Sequence, residues 1–190
     1  MGRIKYRKHI RLKGFDYSSS HYYFVTVCTK DGEELFEPFV DPKYGHELPD
    51  EIAAGIVGDV AAPLCGARRK MTKIIVDKLN QIPKYYPAEV DFYVIMPNHL
   101  HMIIDIRESG KVSLALIIKA FKSWVTMEAQ GAAQSAAATE KQKPLGSIWQ
   151  PNYYEHIVRS EEALDNIRTY ILHNPWIEYD DINWKRIDPS

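Results

Sequence analysis

The sequence predicts an α+β fold, a ferredoxin-like antiparallel sheet with helices on one face. Three observations carry this. Short aromatic and β-branched runs alternate with amphipathic stretches in the order strand, helix, strand, strand, helix, strand, helix. The two middle runs are separated only by Pro97-Asn98, which makes them a tight antiparallel hairpin. The chain has 190 residues, 45% hydrophobic and 26% charged, enough for one ordinary globular domain over 1–190.

Each element has a local reason. His21 to Thr29 (HYYFVTVCT) is rich in aromatic and β-branched residues and reads as the first strand, stopped by Asp31-Gly32. Residues 31–70 hold Pro38, Pro42, Gly45, Pro49 and Gly55 and read as an irregular excursion, with a short helix somewhere in 52–69. Ile75, Leu79 and Ile82 recur at helical spacing, so a helix is expected over 72–82, ended by Pro83. Glu89 to Met96 and His99 to Ile106 are the hairpin strands. Ser113 is an N-cap for a helix over 114–128, with Leu114, Ile117, Ile118, Phe121 and Val125 on one stripe. Residues 129–147 are alanine-rich and low in complexity, and are expected to be a mobile loop. Ile148 to Gln150 and Tyr153 to Val158 read as extended. Ser160 then caps a last helix over 160–174, with Glu161 and Glu162 in its first turn, and Pro175 ends it.

Composition narrows the function classes. Cys28 and Cys65 have no metal-type spacing and argue against a disulfide scaffold, which fits a reducing cytoplasm. No run approaches the roughly 20 apolar residues of a membrane span, so no membrane partner is expected. The net charge of −1 does not advertise nucleic-acid binding, but its distribution is uneven. Arg3, Lys5, Arg7, Lys8, Arg11 and Lys13 make residues 1–20 a basic arm suited to a phosphate backbone. Arg68, Arg69, Lys70 and Lys73 form a second basic cluster, and the stretch from Asp31 to Glu51 is acid-rich. The 12 Tyr and 4 Trp fill cores well and also stack on bases.

The chemistry centres on Met96-Pro97-Asn98-His99-Leu100-His101. On a strand, His99 and His101 project from one face, while Leu100, Met102 and Ile104 point into a core. Two adjacent imidazoles are half of a divalent-metal site. Tyr170 and Asn174 are four apart on the last helix and share a face, while Leu164, Ile167 and Ile171 form the stripe that packs on the sheet. If that face meets the histidines, His99, His101 and the Asn174 amide oxygen make a mixed N/O set for Mg²⁺ or Mn²⁺. The Tyr170 phenol would then be a nucleophile for transesterification at phosphate. Two histidines on a strand can equally be a hydrogen-bonded structural pair, and Asn174 can be a helix C-cap.

The blocks Met96 to His101, Trp149-Gln150-Pro151-Asn152-Tyr153-Tyr154-Glu155-His156-Ile157-Val158-Arg159 and Tyr170-Ile171-Leu172-His173-Asn174-Pro175 resemble the single-tyrosine transposases of the IS200 type. Among these the chain is similar to the branch called REP-associated tyrosine transposases, and Arg11 to Tyr17 also looks like that branch. These are HUH enzymes, named for histidine-hydrophobe-histidine. The resemblance implies an HUH-endonuclease fold and a partner that is single-stranded DNA with hairpins. It implies that Tyr170 attacks the scissile phosphate to give a 5′-phosphotyrosine and a free 3′-OH. His99, His101 and Asn174 would hold the metal. Trp149, Gln150, Tyr154 and Arg159 join the basic arm as expected DNA contacts, and Trp149-Gln150 can equally be a core anchor. His156, His173 or a water at the metal would take the phenol proton. A cytoplasmic, nucleoid-associated monomer or homodimer is expected. Two other readings stay open: a catalytically silent hairpin-binding protein, and a metal-dependent nuclease whose nucleophile is water.

Overall fold

The structure, a computed structural model, describes residues 12, 14–41, 43, 66–137 and 147–174. Five strands make one antiparallel sheet: β1 (Tyr22–Cys28), β2 (Phe39–Val40), β3 (Ala88–Met96), β4 (His99–Ile106) and β5 (Tyr154–Val158). Their order across the sheet is β2-β3-β4-β1-β5. The helices are α1 (Ala67–Leu79), the single turn α2 (Ile82–Tyr85), α3 (Leu114–Ala137) and α4 (Glu161–His173). Without β2 the path β1-α1-β3-β4-α3-β5 is the ferredoxin-like arrangement that the sequence predicts.

Two cores lie on opposite sheet faces. Tyr23, Val25 and Val27 of β1 and Leu100, Met102 and Ile104 of β4 pack with Ile75 and Leu79 of α1 and with Ile117, Ile118, Phe121 and Val125 of α3. On the other face Phe24, Phe92, Val94 and Ile103 pack with Leu164, Ile167, Ile171 and Leu172 of α4. The helices are therefore not all on one face. α1 and α3 cover one face, and α4 lies on the face that the sequence reading left open, because its own apolar stripe needs a partner.

Two further departures have local causes. α3 runs nine residues past the expected end at 128, so 129–137 is helix rather than loop. Alanine is the best helix former, and Ala129 is buried against the core. The helix expected over 72–82 starts at Ala67 and ends at Leu79, so the second basic cluster lies on α1. There Arg68 pairs with Glu34 at 3.1 Å and Lys73 with Asp77 at 3.0 Å. Within the excursion, Phe39–Val40 pairs with β3 through Ile95 and Val94. The rest of the excursion at 44–65, the loop at 138–146, Pro175 and the basic arm residues Arg3, Lys5, Arg7, Lys8, Arg11 and Lys13 lie outside the described residues. No helix among the described residues is long and apolar enough to cross a membrane.

Candidate active site

β4 sits between β3 and β1, and its register fixes what flanks the histidines. His99 lies opposite Met96 on one side and Cys28 on the other, and His101 opposite Val94 and Thr26. The Pro97-Asn98 turn before them is pinned from outside. The Asn98 carbonyl accepts from Thr29 N at 2.8 Å and Thr29 Oγ1 at 2.9 Å, and the Pro97 carbonyl from Phe36 N at 3.0 Å.

The two rings meet edge to face with centroids 4.8 Å apart. Each has its Nδ1 engaged: His99 with Asn98 Oδ1 at 2.7 Å, and His101 with Thr26 Oγ1 at 2.8 Å. An amide oxygen only accepts, so His99 carries its proton on Nδ1 and keeps the Nε2 lone pair for a ligand. Thr26 can hold His101 in the same tautomer. Phe24 stacks on His101 at 5.3 Å. His101 is 6% exposed. Burial lowers the His99 pKa to about 4, and burial first, then the neighbouring His99, lowers that of His101 well below its ordinary value. Both imidazoles are neutral at pH 7, the form that binds metal.

α4 delivers the tyrosine. Ser160 caps it, accepting from Ala163 N at 3.1 Å, and Glu161 and Glu162 lie in the positive first turn. With Leu164, Ile167 and Ile171 on the sheet, the half-buried Tyr170 ring packs at 5.6 Å from His101 and edge-on at 6.0 Å from Phe24. Asn174 is the C-cap one turn further on, its backbone N–H donating to the Ile171 carbonyl, and the residue is 4% exposed. The structure thus brings His99, His101 and Tyr170 together and buries Asn174 at the end of the same helix.

Among the described residues no group of three or more His, Cys, Asp and Glu side chains is placed to hold a metal ion. A closed structural zinc site is therefore not formed there. Two neutral imidazoles side by side are donors of the kind that an open divalent-ion site uses, and supply half of such a set.

The other expected contacts divide. Trp149 has the surroundings of a core anchor: it is 5% exposed, packs against Phe36 and Phe121, and donates Nε1–H to the Lys122 carbonyl at 3.1 Å. Gln150 ties its backbone N–H to the Cys28 carbonyl at 2.9 Å, beside the histidine end of β1. Tyr154 lies opposite Thr26, one strand beyond His101 on the same sheet face. Arg159 is exposed and follows Val158, which pairs with Tyr22 at the far end of the sheet. Of the expected proton acceptors, His156 lies opposite Phe24 on the tyrosine face, and the exposed His173 donates Nδ1–H to the Thr169 carbonyl at 2.8 Å.

Residues the sequence did not single out are Thr26, Phe24 and the pair Asp91 and Arg168. Arg168 of α4 grips Asp91 of β3 through Nε–Oδ2 at 2.8 Å and Nη2–Oδ1 at 2.9 Å. Even spacing along β1 puts Phe24 and Thr26 on one face, which is the one signal that could have found them.

A ferredoxin-like sheet whose His-hydrophobe-His strand faces a tyrosine on a packed helix defines an HUH-type, single-tyrosine protein. Comparison with known proteins agrees. The family model described as "Transposase IS200 like" matches residues 67–174, from the start of α1 to Asn174. An uncharacterised Haemophilus influenzae protein is 32% identical over 193 residues, covering 90% of this chain and 89% of that one. A second H. influenzae protein, assigned as a REP-associated tyrosine transposase, is 26% identical over 95 residues, covering 50% of this chain and 53% of that one. The solved structure of a REP-associated tyrosine transposase bound to a REP hairpin shares the fold, with a TM-score of 0.52 at 18% identity over 91% of this chain and 73% of that one. The chain belongs to the IS200-like transposase family, and its role is transposase-like processing of DNA.

Proposed function

We propose that this chain is a divalent-metal-dependent enzyme that nicks and rejoins single-stranded DNA at hairpins, with Tyr170 as nucleophile. The observation that carries the reading is the Tyr170 ring packed at 5.6 Å from His101, inside a histidine pair whose Nδ1 atoms are both engaged. The solved relative bound to a REP hairpin supports a palindromic-repeat substrate.

His99, His101 and Asn174 would hold Mg²⁺ or Mn²⁺. When bound, the ion supplies Lewis-acid polarisation of the scissile phosphate and neutralises charge that develops on it. The rest falls to the chain's own residues. Asn98 and Thr26 keep the imidazoles oriented. Phe24 and the apolar stripe of α4 exclude water from the inner side of the Tyr170 ring. Tyr170 Oη attacks phosphorus, the P–O3′ bond breaks, and a 5′-phosphotyrosine and a 3′-OH result. The phenol loses its proton on the half-exposed side of the ring, and the departing 3′ oxygen takes one up. A phenol of ordinary pKa near 10 is a weak nucleophile at neutral pH, so the reaction depends on the phosphate being polarised. The phosphotyrosine retains the ester bond energy, so a 3′-OH can attack it and join strands.

Covalent trapping tests this. Single-stranded hairpin DNA from the gene's own flanks, end-labelled on the 3′ side of the cut, is incubated with protein and Mn²⁺ and run on a denaturing gel. A metal-dependent labelled protein band, absent in Tyr170→Phe and His99→Ala, is expected. Cleavage that survives in Tyr170→Phe without a band means a water nucleophile. Tight binding without cleavage means a hairpin-binding protein.

A further inference from the structure

We infer that Arg168 and Asp91 are positioning residues, a polar latch that sets the rotation and register of the tyrosine helix on the sheet. The inference deepens the proposed tyrosine chemistry and rests on it. Its geometry begins with a bulge in β3. Val90 pairs with Ile104 and Phe92 with Ile103, so Asp91 is the extra residue, with no partner in the ladder. Val90 packs on the α1/α3 core and Phe92 on the α4 core. The bulge therefore lets Asp91 join Phe92 in facing α4. Asp91 is 11% exposed on its side chain and Arg168 26%. The Arg168 fork closes on both carboxylate oxygens, and Nη1 also reaches Asp165 Oδ1 at 3.1 Å on the same helix. Lys43 adds its Nζ to the Asp91 carbonyl at 3.2 Å and lies 3.7 Å from Oδ1.

Arg168 precedes Tyr170 by two positions, which places the two side chains on opposite flanks of α4, about 200° apart. The apolar stripe of Leu164, Ile167 and Ile171 lies between them against the sheet. Apolar burial is non-directional and leaves a helix free to roll by a few degrees or slide by a fraction of a turn. A bidentate guanidinium–carboxylate pair is directional in distance and plane. Fixing the β3 flank of α4 thus fixes where Tyr170 stands over His101 on the other flank. A displacement of about 1 Å at a nucleophile costs on the order of a hundredfold in rate, so a latch of this kind acts on the chemical step more than on DNA binding.

The test separates positioning from folding and from the tyrosine reading itself. Arg168→Ala, Asp91→Ala, the double variant, the exchanged pair Asp91→Arg/Arg168→Asp and the conservative Arg168→Lys are compared with wild type by amide hydrogen exchange and by single-turnover adduct formation with Mn²⁺. The expected result is faster exchange confined to α4 in each alanine variant, with β1, β3 and β4 unchanged. Adduct formation falls about tenfold or more with DNA affinity retained, the double variant is no worse than either single one, and the exchanged pair recovers part of the rate. Arg168→Lys, lacking the fork, stays impaired. Unchanged α4 exchange and an unchanged adduct rate in Arg168→Ala, or losses that simply add in the double variant, overturn the latch. Faster α4 exchange in the variants with no adduct even in wild type leaves the latch standing as a structural device and overturns the tyrosine chemistry instead.

Discussion

Thr26 Oγ1 lies 2.8 Å from Nδ1 of His101, across the β1–β4 register, and is the hydroxyl that holds the deeper of the two histidines in place. Asn98 does the same for His99 from the turn that precedes it. Outer-shell partners of this kind fix the ring plane and the tautomer. Thr26→Val keeps the shape and removes the hydrogen bond, so it is expected to weaken Mn²⁺ binding by about 10- to 100-fold. Thr26→Ser keeps the hydroxyl and should stay within a few-fold of wild type. Titration calorimetry with Mn²⁺ on the two variants decides it. Equal affinities for Thr26→Val and wild type would mean that Phe24 stacking alone orients His101.

The buried histidines also predict how metal-free protein responds to acid. The His99 pKa is lowered from 6.5 to about 4 by burial, and that of His101 is lowered well below its ordinary value by burial and by the neighbouring His99. In the unfolded chain both titrate near 6.5, so between about 4 and 6.5 the unfolded state binds more protons than the folded one. Stability then rises with pH across that window, is fully present above it, and is lost as pH falls through it. Urea midpoints measured with chelator from pH 4 to 8 should show this slope. The double variant His99→Gln/His101→Gln should flatten it. A slope unchanged in that variant would assign the acid sensitivity to other groups.

The histidines and the tyrosine were legible because the patterns that expose them are local. Alternation along β4 puts His99 and His101 together, and helical spacing along α4 puts Tyr170 beside Asn174. What was not legible depends on register between distant segments. Thr26 and His101 are 75 positions apart, and Arg168 and Asp91 are 77 apart. Nothing near Asp91 announces a bulge, since Val90-Asp91-Phe92 reads as plain strand. The sheet's second face was expected to be open, although the stripe on α4 already demanded a partner surface. The helix end at 128 was misplaced for a different reason, since alanine-rich sequence looks like a loop by complexity and like a helix by propensity.

Trp149 supplies a prediction that separates a core anchor from a DNA contact. Its indole packs against Phe36 and Phe121 and donates its Nε1–H to the Lys122 carbonyl. Trp149→Ala should cost about 3–5 kcal/mol by the cavity it leaves. Trp149→Phe retains most of the volume and loses one hydrogen bond, so a cost of about 1–2 kcal/mol is expected. Hairpin-DNA affinity of the folded Trp149→Phe protein should equal wild type in a filter-binding assay. A large affinity loss without a stability loss would mean that Trp149 contacts DNA.

Gly131 sits within α3, past the helix end that the sequence suggested, and an added Cβ would meet nothing within 4 Å beyond the adjoining backbone of its own helix. Glycine is disfavoured in a helix interior because it loses the most backbone freedom on ordering. Gly131→Ala is therefore expected to stabilise the protein by up to about 1 kcal/mol and to raise the melting temperature by a few degrees. A melt that shows no change or a loss would mean that this part of α3 does not stay helical in solution.

Metal loading gives the most direct readout of the histidine pair. A ligand that binds only the folded state stabilises it by mass action, by about 2.7 kcal/mol at a free concentration 100-fold above its dissociation constant. Mn²⁺ should raise the melting temperature of wild type and of Tyr170→Phe alike, because the phenol is not among the expected ligands. It should do so weakly in Asn174→Ala and not at all in His101→Ala. Binding should also release almost no protons at pH 7, because burial already holds both imidazoles in their neutral form. Calorimetry in two buffers of different ionisation enthalpy measures that number. A full thermal shift in His101→Ala would place the ion away from the histidine pair. Release of close to one proton per site would mean that an imidazole is still charged in the folded protein, against the burial that the structure gives it.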